Sequence, residues 1–308
     1  MLDQEGAAVM IFPAEYDLEP VNLLAAQNKL NTNNPLLCFS SPEHCKLAIN
    51  HPKWQHLPML GAVTSNAYGI SSYPIWQGSR VAESGFIHLS FNAKENFNLT
   101  ANTIISQGVR RISTNLLINK ANANCISEIE NKSPLNSLQS AIPKNIYSMF
   151  LEQPYHTLCA VSETKKDVNL NDDDKDLANA LNKGFYRLFN IINIDESKES
   201  IYLTGKIKEQ QQCFWALRDN LIAKQEWELS LQTLQKEIKL PIFAMLFCNE
   251  SRGPYFHGNN DDTDLALFKQ YFPDIPLIGI YSSAEISPGS HYQSLLRRYS
   301  SVLTIYSQ

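Results

Sequence analysis

PIFAMLFCNESRG, residues 241–253, is the stretch that decides the fold. Its first eight residues are apolar without a break, the pattern of a strand covered on both faces rather than on one. At Cys248 the run stops, and the chain enters the polar turn Asn249-Glu250-Ser251-Arg252-Gly253. Upstream, Asp219 is placed to cap a long helix reaching about Lys239, with Leu221, Ile222, Trp227, Leu231, Leu234 and Ile238 on one face. Downstream, a helix runs from about Asp262 to Tyr271. PLIGIYSSAEIS (276–287) then supplies a further strand, and SVLTIYS closes the chain as the last one.

The same order stands near the other end. LLCFSS (36–41) reads as a strand, Pro42 opens a helix carrying Cys45, Leu47 and Ile49, and LPMLGAV (57–63) is the next strand. A small-residue segment, Thr64-Ser65-Asn66-Ala67-Tyr68-Gly69, follows it. Residues 7–12 read as a first strand, 19–30 as helix-like, 84–91 as an alternating strand and 201–207 as another. Strand, helix, strand, glycine and hydroxyl-rich loop thus occur twice, which reads as an internal duplication. The expected fold class is α/β (mixed α+β), with two related layered halves, each a mixed β-sheet covered by helices. The expected division is 1–120, 121–184 and 185–308. The middle segment is polar and poor in pattern, and Asp172, Asp173, Asp174 and Asp176 within it read as an acidic helix start rather than a calcium loop.

Composition excludes several classes. With 26 Lys and Arg against 31 Asp and Glu, and no basic tract, the chain lacks the footprint of a nucleic-acid binder. No apolar run approaches bilayer-spanning length, and the first twenty residues lack a basic n-region, so a soluble, cytoplasmic protein is expected. The six cysteines show no metal-ligand spacing and read as free thiols in a reducing compartment. His44, His51, His56, His88 and His156 read as surface or satisfied histidines. No metal and no cofactor is expected.

Loops at the ends of α/β strands are where such folds hold ligands. If the copies are equivalent, Gly61 and Gly279 release the chain into paired loops bearing Thr64, Ser65, Ser282 and Ser283. Arg252 beside Gly253 suits a carboxylate, which a guanidinium grips in two places, and Glu285 suits an amino group. The bland alternative pairs Arg252 with Glu285. Cys248 is the one candidate nucleophile, with His257 or His291 as base, but it ends an apolar strand where thiols are packed and inert. The ligand-binding set is therefore Arg252, Gly253, Gly279, Ser282, Ser283, Glu285, Thr64 and Ser65, with catalysis confined to Cys248.

CNESRGPYFHG (248–258) followed by FPDIPLIGIYSSAEISP (272–288) resembles the signature of FIST domains, of F-box and intracellular signal transduction proteins. Cys248, Arg252, Gly253, Pro276, Gly279, Glu285 and Ile286 match it as they stand. Ser251 and Ala284 replace the usual glycines, and the turn has one residue more. LPMLGAVTSNAYGI is similar, more loosely, to the corresponding FIST N segment, so 1–120 is expected to be FIST N-like and 185–308 FIST C-like. The resemblance implies a sensory or adaptor role: binding amino acids or small carboxylates, or a signalling protein partner. Two other readings stay open, a hydrolase or transferase using Cys248 and a protein-interaction scaffold without small ligand.

Overall fold

The computed structural model describes residues 16–20, 34–52, 54, 57–64, 75–77, 80–82, 84–93, 99–144, 157–162, 181, 186–258, 261–289 and 294–308. The chain forms two compact units, one made of residues 1–107 together with 223–308 and one of 108–222. These units cross the divisions expected at 120 and 184, because the first unit draws on both ends of the chain.

The first unit opens with β1 (Tyr16–Pro20), β2 (Leu36–Ser40), α1 (Cys45–Asn50), β3 (Met59–Val63), the hairpin β4 (Ile75–Gln77) and β5 (Arg80–Ala82), and β6 (Phe86–Ala93). β2 and β3 run parallel around α1, β6 lies antiparallel on the other side of β2, and β1 lies antiparallel beyond β6. Glu19 and Pro20 therefore belong to a strand, not to the expected helix. The rest of that helix and the expected strand at 7–12 lie outside the described residues. β7 (Thr100–Ser106) ends this part of the unit.

The second unit is a closed barrel. Its strands are β8 (Val109–Arg111), β9 (Leu116–Asn122), β10 (Cys125–Ile129), β11 (Thr157–Ser162), β12 (Tyr186–Asp195), β13 (Ser200–Leu203) and β14 (Gln212–Arg218), with α2 (Pro134–Ala141) between β10 and β11. Antiparallel pairing runs β11-β12-β13-β10-β9-β14, and β14 pairs back onto β11, which leaves that circle of strands without an edge. The interior is filled by Ile118, Ile126, Ile191, Ile201, Leu203, Cys213 and Trp215. α2 plugs it: Ser133 caps the helix by accepting from Asn136 N, Leu138 enters the core, and Ser137 Oγ accepts from Trp215 Nε1 at 3.1 Å. Half of this unit falls in the stretch read as patternless.

The chain re-enters the first unit along α3 (Asn220–Glu237), whose start is capped by Asp219 Oδ1 accepting from Leu221 N and Ile222 N, both at 3.0 Å. Ala223, Trp227, Leu231 and Leu234 form its buried face, whereas Leu221 is exposed. Then follow β15 (Pro241–Asn249), α4 (Thr263–Tyr271), β16 (Leu277–Ser282), β17 (Ala284–Pro288), β18 (Ser294–Arg297) and β19 (Ser301–Ser307). The loop expected after Gly279 is instead the rest of β16, the single residue Ser283 and β17, and the two strands enter different sheets.

The duplication is visible in the strand order. One sheet contains β1-β6-β2-β3 and the other β7-β19-β15-β16, with the same directions throughout: two antiparallel pairings, then one parallel. Gly61 stands opposite Cys38 in the first copy, and Gly279 opposite Leu246 in the second. β17 and β18 then extend the first sheet by pairing β17 antiparallel to β3. Alternation along the strands sorts the core into layers. Leu37, Leu60, Ala62 and Phe91 face Phe243, Met245, Phe247, Val302 and Tyr306 between the sheets. Leu36, Cys38, Met59 and Val63 face α1, and Ala244, Leu246, Leu303 and Ile305 face α3 and α4. Unit one is a helix–sheet–sheet–helix sandwich.

Candidate functional site

The sequence-chosen residues converge on the carboxyl ends of β15 and β16, but their partners differ from those expected. Arg252 follows β15 in a short turn of helix and is fully buried. Its Nε bonds Asp264 Oδ2 at 2.8 Å, Nη1 bonds Ser106 O at 3.2 Å, and Nη2 bonds Ser106 Oγ at 2.9 Å and Asp264 Oδ1 at 3.4 Å. The pairing of Arg252 with Glu285 is thus corrected: the acid is Asp264, in the first turn of α4, where the helix dipole also favours a carboxylate. Asp264 accepts further from Ser301 Oγ at 2.5 Å, and its carbonyl accepts from Trp227 Nε1 at 2.9 Å. One buried ion pair so ties β7, α3, α4 and β19 together.

Glu285 is held separately. Its Oε1 accepts from Asn249 Nδ2 at 3.1 Å and Ser282 Oγ at 3.0 Å, and its Oε2 from Ser300 Oγ at 2.6 Å. Burial pushes this carboxyl up to about 7, with the three donors pulling it partly back. Because the folded state binds the proton more tightly than an unfolded chain, the resulting stabilisation is complete below the ordinary value of 4.5 and lost as pH rises through about 7. Urea unfolding at pH 5 and pH 8 should therefore show wild type losing on the order of 3 kcal/mol between them. Glu285→Gln should remove that difference; an equal loss in the variant would place the titration elsewhere.

Gly61 and Gly279 lie inside β3 and β16 rather than at strand ends, and Ser282 is the last residue of β16; the segments that follow the two strands touch. Ser283 Oγ donates to Thr64 O at 3.0 Å and to Val63 O at 3.3 Å, and Thr64 N donates to Ser40 O at 2.9 Å. Ser65 lies outside the described residues. A Cβ placed on Gly253 would meet the Tyr281 ring at ordinary van der Waals distance.

A cavity of about 220 Å³ opens beside these residues, lined by Leu246, Cys248, Asp262, Leu265, Leu277, Gly279, Ile280 and Tyr281. Its origin is in the sequence: Leu277 and Tyr281 flank Gly279 on the face turned to α4, so the missing side chain leaves a gap under the helix. Asp262 caps α4 through Leu265 N at 3.0 Å and accepts from the Tyr281 hydroxyl, which places one carboxylate in an otherwise apolar wall. Asp262, Asp264, Leu265 and Tyr281 were not singled out in sequence; only the cap at Asp262 gave a signal.

Cys248 is buried, its sulfur 3.2 Å from Ser301 Oγ and 3.9 Å from Asp264 Oδ2. Burial, and then the Asp264 charge, hold the thiol well above its ordinary value, the opposite of what activates a nucleophile. His257 Nε2 is buried without a hydrogen-bond partner, and burial lowers its basicity. His291 lies outside the described residues, as do His56 and His156. His88 is a core residue between Trp54 and Phe86, not a surface one. Among the described residues no three His, Cys, Asp or Glu side chains gather as a metal site, and no helix is long and apolar enough to cross a membrane.

These features define a mixed α/β protein with a duplicated sheet unit and a strand-end cavity. Residues 152–288 match the family model of the FIST C domain. The match spans β11 to β17, from the barrel into the sandwich. A search of curated proteins finds no match. Among solved structures, the chain is similar to a DegV family protein from Eubacterium eligens loaded with heptadecanoic acid, at 13% identity and a TM-score of 0.22, over 56% of this chain and 54% of that one. The chain therefore spans about half the length of that protein.

Proposed function

We propose that this chain is a small-ligand-binding sensory or adaptor protein whose ligand enters the cavity beside Gly279. The observation that supports the reading is the 220 Å³ cavity itself, set along β16 and the carboxyl half of its parallel partner β15 and furnished with one carboxylate and one phenol. Its size suits a small molecule or a single side chain. The match of residues 152–288 to the FIST C domain supports the sensory or adaptor role, and no arrangement around Cys248 supports turnover.

The ligand's chemistry follows from the wall. Arg252, the residue suited to a carboxylate, spends its guanidinium on Asp264 and Ser106 and is not in the lining. The charge in the lining is that of Asp262, whose partner Tyr281 donates its proton inward and presents an accepting oxygen. A compact apolar group with a hydrogen-bond donor or amine at one end fits this better than a free carboxylate. In a melting-shift screen of small branched amines, alcohols, amino acids and carboxylates, amines and alcohols should raise the wild-type transition, by about 2.7 kcal/mol at a hundredfold excess over Kd. Gly279→Val, which fills the space, should abolish the shift. A screen without response, or a shift unchanged in that variant, removes the cavity from consideration.

A further inference from the structure

We infer that the outer edge of β16 is a docking site for an extended peptide segment of another protein, which adds to the sheet as an antiparallel strand and places a branched aliphatic side chain in the cavity beside Gly279. This rests on the cavity reading above and names the ligand's class: a peptide, not a free molecule.

The duplicated fold supplies the comparison. β3 and β16 occupy the same place in the two copies, each beside its parallel partner. β3 has β17 on its other side, with Gly61 opposite Ile286, Ala62 opposite Glu285 and Val63 opposite Ala284. All five residues of β3 are buried in consequence. Among the described residues, β16 has a strand on one side only, and Gly279 and Ile280 are exposed, Ile280 at 45%. The two glycines explain what the added strand does. Ile286, fully buried and opposite Gly61, packs on the face turned to α1 with Cys38, Met59, Val63 and Ile49. On the equivalent face of β16, beside Gly279 and under α4, lies the cavity. An aliphatic residue opposite Gly279 would stand to α4 as Ile286 stands to α1.

Edges that must stay single carry lysine, proline or a bulge. β16 reads LIGIYS, with no charge and no proline, and its pairing to β15 runs without a register shift. Among the described residues the chain supplies no strand of its own here: β4 and β5, which hold the chain position in the first copy that β17 and β18 hold in the second, form a separate two-stranded sheet. Strand addition with one side chain in a pocket is a general mode of peptide recognition. The register also sets a second preference. As Ala284 lies opposite Val63, two residues before Ile286, the peptide residue two before the aliphatic one lies opposite Tyr281, within the field of Asp262, which favours lysine there.

The probe is a labelled, capped hexapeptide, Ac-Thr-Lys-Thr-Ile-Thr-Val-NH2, followed by fluorescence anisotropy on the full chain. Replacing its isoleucine by alanine should weaken binding about tenfold. N-methylating one alternate set of its backbone nitrogens should weaken it at least as much, and the other set should not, because only one edge of the peptide pairs. Gly279→Val should lose binding while keeping its circular dichroism and melting transition; should that variant not fold, the milder Gly279→Ala takes its place with a partial loss. 2-Methylbutan-1-ol, which carries the branched group without a backbone, separates the two readings. If it binds and the peptide binds no better, or both N-methyl sets are equivalent, the strand is refuted and the cavity reading stands. If neither binds, both fall. Binding that appears only after removal of residues 75–82, or a concentration-dependent dimer in sedimentation that Gly279→Val abolishes, assigns the edge to the chain's own hairpin or to a second copy and overturns the proposal.

Discussion

Arg252→Ala is expected to cost about 3–5 kcal/mol, because it leaves a buried carboxylate without its cation. Asp264 is fully buried and sits 2.8 Å from the Arg252 Nε; after truncation Ser301, Cys248, the helix start and His257, whose Nε2 lies 3.8 Å from Asp264 Oδ1, remain around its charge. Ser106 loses two bonds in the same step, one to its carbonyl and one to its hydroxyl. At roughly 2–4 °C for each kcal/mol in a unit of this size, the transition that exposes Trp227 should fall by about 10 °C. Arg252→Lys keeps the charge but not the fork, so it should recover only part of the loss. Replacing both partners, Arg252→Met with Asp264→Leu, should recover most of it, since an apolar pair of similar volume carries no stranded charge. An Arg252→Ala protein as stable as wild type would show that the ion pair contributes nothing. The result also bears on function, since a residue placed to hold the sandwich together is a poor choice for testing ligand binding by truncation.

The reading of Arg252 shows where sequence stops. Its chemistry, a guanidinium seeking a carboxylate, was legible; its partner was not. Glu285 and Asp264 are both acids near the right strand ends, and nothing in their spacing says that Asn249, Ser282 and Ser300 take the first while Arg252 takes the second. The helices beginning at Asp219 and Asp262 were legible near their caps, whereas α2 was missed although Ser133 caps it. Strands buried on both faces were legible by their unbroken apolar runs, and the duplication by their repetition. The barrel was not, for two physical reasons. Its strands alternate inside and out over short lengths, as in Leu116–Asn122, so no apolar run accumulates. Its turns use Ala123, Glu130 and Asn131 with positive φ, at 54°, 50° and 58°, where glycine would have marked a turn. β17 was hidden likewise, since the serines after Gly279 read as a loop, whereas Ser283 alone suffices to pass the chain from one sheet to the other.

Gly61→Ala is the second large effect expected, and it separates the two copies of the repeat. A Cβ on Gly61 would lie 1.8 Å from the Cys38 carbonyl oxygen, a backbone atom of a central strand with no room to retreat. β3 is paired on both sides and buried throughout, so relief requires β2 and β3 to part or β17 to leave. Overpacking in a core costs about 1–3 kcal/mol where side chains can yield, and a clash with paired backbone belongs at or beyond the upper end. Gly279→Ala is the control. Its Cβ would meet the Leu246 oxygen at 3.1 Å, a tight but correctable approach, and β16 at its open edge is free to shift by that much. Its cost should stay below about 1 kcal/mol. Urea unfolding of the two variants beside wild type measures the contrast directly. Equal costs would mean that β16 is as firmly held as β3, and the free edge, with the docking site built on it, would have no physical basis.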